Sequence, residues 1–210
     1  MQDIWHAIMD GAPFSFFNLA ILALVIAIIA ERTTYILTKY RVNSREFMAQ
    51  IRKLVQAGNI DRAVKLCDSA PLPLLQVVKS GLTQVNRGEE AVIASMEERM
   101  SELMPDLEKR IGALWSFANI ATLVGLLGTI NGLIKAFAAV ASADPSQKSA
   151  MLSQGISEAM YNTLLGLGIA VVCMIAHLIL HGQQKKVKIE MERSQMKLEN
   201  LIVALKTRPE

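Results

Sequence analysis

The sequence predicts an all-α integral membrane protein with three transmembrane helices and a cytoplasmic helical bundle. Three observations carry that prediction. Residues 11–30, 111–134 and 159–184 contain no Asp, Glu, Lys or Arg, and each run reaches the roughly 20 residues that an α-helix needs to cross a bilayer core. Lys and Arg are unevenly divided among the segments between these runs. Finally, the chain shows no strand-like alternation, no low-complexity segment and no obvious repeat. With 52% apolar and 20% charged residues, a buried soluble helix would explain one such run far better than three.

The first span is read over residues 14–37. Phe14, Phe16 and Phe17 mark one interface and Tyr35 and Tyr40 the other, as aromatic belts do. Glu31 and Arg32 fall where the helix leaves the hydrocarbon, and an interfacial ion pair is expected there. Residues 1–10 hold no Lys or Arg, and no cleavage-type site follows a short apolar core. The first span is therefore expected to be retained rather than removed as a secretory signal.

The long segment between spans one and two reads as a series of helices. "VNSREFMAQIRKLVQ" continues the first span with Phe47, Ile51, Leu54 and Val55 on one stripe, and Gly58-Asn59 stops it. "NIDRAVKLCDSA" is a short helix with Asn59 or Asp61 near its start. "PLPLLQVVKSGLTQVN" follows a proline break, and Gly88 precedes the long pattern "EEAVIASMEERMSELM". Pro105 either kinks that helix or divides it from span two. Trp115 lies near the start of span two, and Asp144-Pro145 makes the turn to span three. Span three ends near His181-Gly182. The tail that follows is amphipathic, and its Val187, Met191, Leu198, Leu201 and Leu205 are expected to pack on the loop helices. No soluble piece is large enough for a confident independent core, so contacts within an oligomer should add stability.

Orientation follows from the cations. The first sixteen residues have none, residues 39–110 have twelve, and the tail after Gly182 has seven, whereas the loop between spans two and three has only Lys148. The positive-inside rule puts the long loop and the tail in the cytoplasm and the N-terminus outside. The expected divisions are an outer N-terminus with the first transmembrane helix (1–38), a cytoplasmic helical loop (39–110), the second transmembrane helix (111–141), a short outer turn (142–151), the third transmembrane helix (152–182) and a cytoplasmic C-terminal helix (183–210). The net charge of +3 reflects this topology and gives no reason to expect nucleic-acid binding. Cys67 and Cys173 lie on different segments without metal-ligand spacing and read as free, buried thiols.

Spans two and three carry the polar exceptions. Gly125, Thr129, Gly132 and Ala136 are three or four residues apart and share one helix face, which Asn119 and Thr122 extend toward the cytoplasm. Gly155, Ala159, Thr163, Gly166, Ala170, Cys173 and His177 form a matching stripe on span three. Small, weakly polar stripes let helices pack closely in lipid, and the same hydroxyls could line a conduction path. The two readings are compatible. Glu158 begins span three, and a carboxylate in or near a bilayer is a functional hypothesis by default. Lys135 lies about 9 Å beyond Thr129 along the helix. Two arrangements are open to it: snorkelling to the outer interface, or an ion pair with Glu158 of the same or a neighbouring subunit. Asn131 is left to a contact between subunits.

No Asp or Glu lies in the middle of any span. If the protein handles protons, another polypeptide should supply the titrating carboxylate. His6, His177 and His181 are scattered, and there is no nucleophile elbow, P-loop or metal quartet. The reading is therefore of a non-enzyme, with no catalytic residue, cofactor or metal.

These motifs resemble a known family. "GLLGTINGLIKAF" resembles the GLLGTVxGIxxAF segment of the TolQ/ExbB/MotA proton-channel family, and "GISEAMYNTLLGLGIAV" its third-span motif, GIxEALxxTxxGLxxAI. "GNIDRAVKLCDSAPLPLLQVVKSGL" is similar to the family's cytoplasmic GDxxxAxxLCxxxxxPLxxVxxxGL stretch, and "IIAERTTYI" to the end of its first span. The resemblance covers about residues 17–182. It implies an inner-membrane protein with a periplasmic N-terminus, forming a homopentameric ring around two copies of an ExbD- or TolR-like single-span partner. That partner's membrane Asp would carry the proton. By position, Thr129 and Thr163 correspond to the pore threonines and Glu158 to the third-span glutamate. Proton flow would drive movement that a periplasmic or outer-membrane protein turns into work, through TonB-dependent or Tol-Pal-like transport. Two departures stand out. Thr122 occupies the place of a common proline, which should leave span two straighter there, and Asn131 and Lys135 replace residues that are often apolar or neutral. The shorter loop favours the ExbB/TolQ branch over flagellar MotA. Gliding or other surface motility and a passive oligomeric scaffold remain the alternatives.

Overall fold

A computed structural model describes residues 12–40 and 44–206 of the chain, with side chains as far as Ala204. Every regular element among the described residues is helical: α1 (Phe14–Lys39), α2 (Ser44–Gln56), α3 (Ile60–Cys67), α4 (Pro73–Thr83), α5 (Glu89–Glu108), α6 (Ile111–Ala141) and α7 (Lys148–Lys206), with a 3₁₀ turn at Val85–Arg87. Three helices among the described residues are long and apolar enough to cross a membrane. The chain divides into two compact units. One takes the residues up to Glu31 together with Arg110–Ile179. The other takes Arg32–Lys109 and the residues from Leu180 onward. The expectations for residues 1–10, and for a continuous helix through residues 41–43, lie outside the described residues.

The first unit wears its apolar side chains outward. Leu123, Leu126, Ile130, Ile134, Phe137, Leu164, Val171 and Leu178 are all exposed, while Ala118, Ala121, Ala159, Ala170 and Cys173 are buried between helices. This inverts the water-soluble pattern. It suits helices surrounded by hydrocarbon, where association rests on close packing and hydrogen bonds rather than on escape from water.

The second unit follows the opposite rule. Ile51 and Val55 of α2, Ala63 and Cys67 of α3, Val77, Val78 and Leu82 of α4, Val92 and Met96 of α5, and Met191 and Leu198 of α7 form one buried core. Of the stripe expected on α2, Ile51 and Val55 are buried and Phe47 and Leu54 partly so, and Met48 joins them. On α7, Met191, Leu198 and Leu201 are buried and Val187 partly. The side chain of Leu205 lies outside the described residues.

Local chemistry sets the breaks. Gly58 takes a φ of +72°, a left-handed conformation that glycine adopts without a Cβ penalty, and its N–H closes α2 onto the Val55 carbonyl. Asn59 sits at the N-cap of α3 and makes no side-chain cap bond. Pro73 opens α4 behind an extended Leu72, because a residue preceding proline avoids the helical region. Pro105 does not divide α5 from α6. The helix runs through it to Glu108, and the chain turns at Lys109 and at Arg110, whose φ is +64°. Gly182 does not end the third long helix either. α7 is continuous over 59 residues, since one exposed glycine costs only about 1 kcal/mol and the Gln and Lys residues beside it favour helix. Glu31 pairs with Arg110, 79 residues along the chain. Arg32 Nη1 donates to the Asp106 carbonyl at 3.0 Å.

Cys67 is free and buried. Burial first, and then the neighbouring Asp68 carboxylate, push its thiol from the ordinary 9.0 up to about 12, against a smaller opposing pull from Lys79. The folded state therefore holds this proton through a range in which the unfolded chain releases it. The Cys67 contribution to stability is fully present below pH 9.0 and is lost as pH rises toward about 12. Alkylation of Cys67 at pH 8 should be on the order of a thousandfold slower in the folded protein than in denaturant, as read by mass spectrometry of the Cys67 peptide. Equal rates would contradict its placement.

Candidate functional site

The site forms where glycines bring the backbones of α6 and α7 into close approach. A Cβ built on Gly166 would lie 2.5 Å from the Ala121 carbonyl oxygen and 3.0 Å from Gly125 Cα, and one on Gly125 would lie 2.8 Å from the Asn162 carbonyl oxygen. Each glycine thus meets the other helix's backbone directly. Farther along, Gly132 faces Ala159, and Gly155 faces Ala136. The expected small-residue faces therefore do meet, through Gly125, Gly132, Ala136, Gly155, Ala159 and Gly166. Ala170 is buried nearer the far end of the stripe.

This approach brings two hydroxyls together. Thr129 Oγ1 and Thr163 Oγ1 are hydrogen-bonded to each other across the helix pair. Thr129 Oγ1 also lies 3.1 Å from the Ala159 carbonyl and 3.2 Å from the Gly125 carbonyl, and Thr163 Oγ1 lies 3.5 Å from the Gly125 carbonyl. Each hydroxyl has one proton to give and lone pairs to receive. Thr163 can donate to Thr129 while Thr129 donates to a carbonyl, or the order can reverse with Thr163 donating to Gly125. Both senses end on an acceptor. A pair that can invert its polarity without losing a hydrogen bond is suited to handing on a proton. Both threonines are part-buried, so one side of the pair stays open to another group.

The charged residues lie to one side. Glu158 is half-buried and accepts a 2.8 Å hydrogen bond from Gln154 Nε2 one turn back. Lys135 is exposed. Both line a groove of about 300 Å³ together with Gly132, Ala136, Gly155 and Asn162. Among the described residues of the single chain, Lys135 and Glu158 make no ion pair. Asn119 and Thr122 turn back on their own helix, donating to the Trp115 carbonyl at 3.1 Å and the Ala118 carbonyl at 3.0 Å. His177 bonds through Nδ1 to the Ile111 carbonyl at 3.0 Å. Because a carbonyl only accepts, Nδ1 carries the proton. Among the described residues no group of three or more His, Cys, Asp or Glu could hold a metal ion.

The sequence reading missed three polar residues. Asn162 is buried and accepts a 2.6 Å hydrogen bond from Ser15 Oγ on α1. Gly128 makes room for it, since a Cβ there would lie 2.8 Å from Asn162 Cβ. Asn18, one turn beyond Ser15, is fully buried, and neither its amide nitrogen nor its oxygen has a hydrogen-bond partner among the described residues. The available signal was an Asn inside each uncharged run.

A family model described as the MotA/TolQ/ExbB proton channel family matches residues 70–193. That is more than half of the chain, and it includes both threonines. The chain belongs to the MotA/TolQ/ExbB proton channel family. Its members are non-enzymatic transport components. A biopolymer transport protein ExbB homolog from Methanothermobacter thermautotrophicus is 24% identical over 154 residues, covering 73% of this chain and 54% of that relative. An ExbB-like 3 biopolymer transport protein from Synechocystis is 26% identical over 154 residues, covering 72% of each. The Tol-Pal system protein TolQ of Haemophilus influenzae is 33% identical over 103 residues, 47% of this chain and 45% of its own length. The chain thus spans about half the length of the first of these relatives. As a MotA/TolQ/ExbB member it is a multi-pass membrane protein with three candidate spans.

The close approach can be tested against an internal control. Gly168 has nothing within 4 Å of a built Cβ, unlike Gly166. Gly166→Ala should destabilise the detergent-solubilised protein by about 1–3 kcal/mol, read as a lower thermal midpoint, and Gly168→Ala should raise that midpoint slightly, by up to about 1 kcal/mol of helix propensity. Equal effects would rule out backbone contact at Gly166.

Proposed function

We propose that this chain is a proton-conducting stator subunit of ExbB/TolQ type, part of a bacterial inner-membrane motor that uses the proton-motive force to drive a single-span partner. The observation that carries the reading is the hydroxyl pair Thr129–Thr163, held between two helices whose outward faces are apolar. Family membership supports the ion, and the distribution of Lys and Arg supports a periplasmic N-terminus and a cytoplasmic loop and tail. In this reading five copies form a ring around two ExbD- or TolR-like helices, and each brings a membrane Asp to the threonines. The hydroxyls bond that carboxyl or a water beside it, giving the proton a polar station inside an apolar ring. Glu158 tunes the outer entrance, and Lys135 either reaches the outer interface or pairs with a neighbouring subunit's Glu158. The work goes to a periplasmic or outer-membrane protein, in TonB-dependent or Tol-Pal-like transport.

Proton flux into vesicles carrying the chain and its single-span partner tests the proposal. Thr129→Val with Thr163→Val should lower flux at least about tenfold, the loss of one hydrogen bond to a charged group, while Thr129→Ser with Thr163→Ser should retain it. Wild-type flux in the valine double variant would refute the pore role. It would leave the passive scaffold, which predicts assembly with no dependence on the gradient.

A further inference from the structure

In the second unit, α5 packs on α4, α4 on α3 and α3 on α2, so α2 and α5 stand at the two ends of a series. The two ends carry opposite charge. Beside α2 a groove of about 440 Å³ runs between it and the end of α7, with Met48 and Leu201 in its lining and Arg45, Arg52 and Lys197 around it. Among the described residues no carboxylate lines it. The three cations are exposed and make no ion pair among the described residues. On α5, Glu90, Glu97 and Glu98 are exposed, on the side away from the buried Val92 and Met96. They too make no ion pair among the described residues. The spacings also agree. Arg45 and Arg52 are two turns apart, as are Glu90 and Glu97, about 10.5 Å in both cases.

We propose that the basic groove of one copy receives the acidic face of α5 from the next copy. This contact rests on the ring proposed above and names its cytoplasmic interface. A patch at one end of a helix series that complements a different patch at the other end makes a head-to-tail contact, and such contacts form a ring when the rotation from copy to copy closes. The arrangement answers the expectation that the soluble part is stabilised between subunits. It also explains why both sets of charges make no ion pair among the described residues of one chain. A lipid headgroup fits the groove less well. Lys197 lies about 22 Å past Gly182 along α7, well beyond the end of the apolar run.

The test uses the full chain in its native membrane. Ala49, in the groove, and Ala94, within the acidic face, are exposed, so Ala49→Cys with Ala94→Cys introduces two thiols without touching a charge. The chain's own Cys67 and Cys173 are buried. A short bis-maleimide should give a ladder of cross-linked species extending past the dimer, and neither single variant should do so. Arg45→Glu with Arg52→Glu should lower the yield about tenfold, the sum of a few surface ion pairs. Adding Glu90→Arg with Glu97→Arg to the same chain should restore it. If the solubilised protein has the mass of a multimer and no ladder forms, this interface is wrong and the ring stands. A monomer mass would overturn both. Cross-linking of Ala49→Cys to a different protein would also overturn the proposal.

Discussion

The contact between Gly125 of α6 and Gly166 of α7 is the constraint on which the membrane part of the structure depends. In lipid, apolar side chains gain nothing by leaving one apolar phase for another, so two helices stay together only if their backbones come near enough for dispersion and short polar contacts to add up. A single methyl group at either glycine would strike the other helix's backbone. Everything polar in this region follows from that distance. Thr129 and Thr163 can share a hydrogen bond, and Thr129 can reach the Ala159 carbonyl of the opposite helix. With the helices a few ångströms farther apart, each hydroxyl would turn back onto its own helix, as Thr122 does onto Ala118.

One chain thus obeys two packing rules. In the first unit the small residues are inside and the large ones outside. In the second, Ile51, Leu82, Met96, Met191 and Leu198 are fully buried and charges occupy the surface, as the hydrophobic effect requires in water. α7 belongs to both regimes without a break in its hydrogen-bonded ladder. Its stripe changes from Gly155, Ala159 and Gly166 to Met191, Leu198 and Leu201 along one continuous helix. The change marks where the surrounding solvent is expected to change.

Most of this was legible in the sequence because both rules leave simple patterns. Uncharged runs located the spans, and the glycine and proline positions located most loop breaks. The small-residue spacing identified the two faces that meet. What was not legible depended on energies that no pattern displays. Gly182 looked like a helix end, but its cost is small beside the helix formers flanking it. Pro105 offered either a kink or a boundary, and the chain turns only at Lys109 and Arg110. Along α7 the contact line runs through Gly155, Ala159, Asn162 and Gly166. Asn162 therefore sits deeper than Thr163, and sequence spacing alone could not separate two adjacent residues. The Ser15–Asn162 bond joins positions 147 residues apart, which only the folded chain brings together.

The neutrality of the site is its most informative property. Thr129, Thr163, Asn162 and Ser15 all carry oxygens and none carries a charge, so in the proposed function the site would stabilise a passing proton without storing one. A carboxylate buried here for good would pay heavily for desolvation whenever it ionised. Placing that carboxylate on a separate helix, as the proposed motor does, lets the charge meet the hydroxyls only when the helices are aligned. It also gives movement a reason. Bringing the carboxylate to the threonines in one protonation state and away in the other converts a difference in proton potential into a difference in position. In that scheme the fixed, uncharged hydroxyl pair is the reference point against which the partner moves.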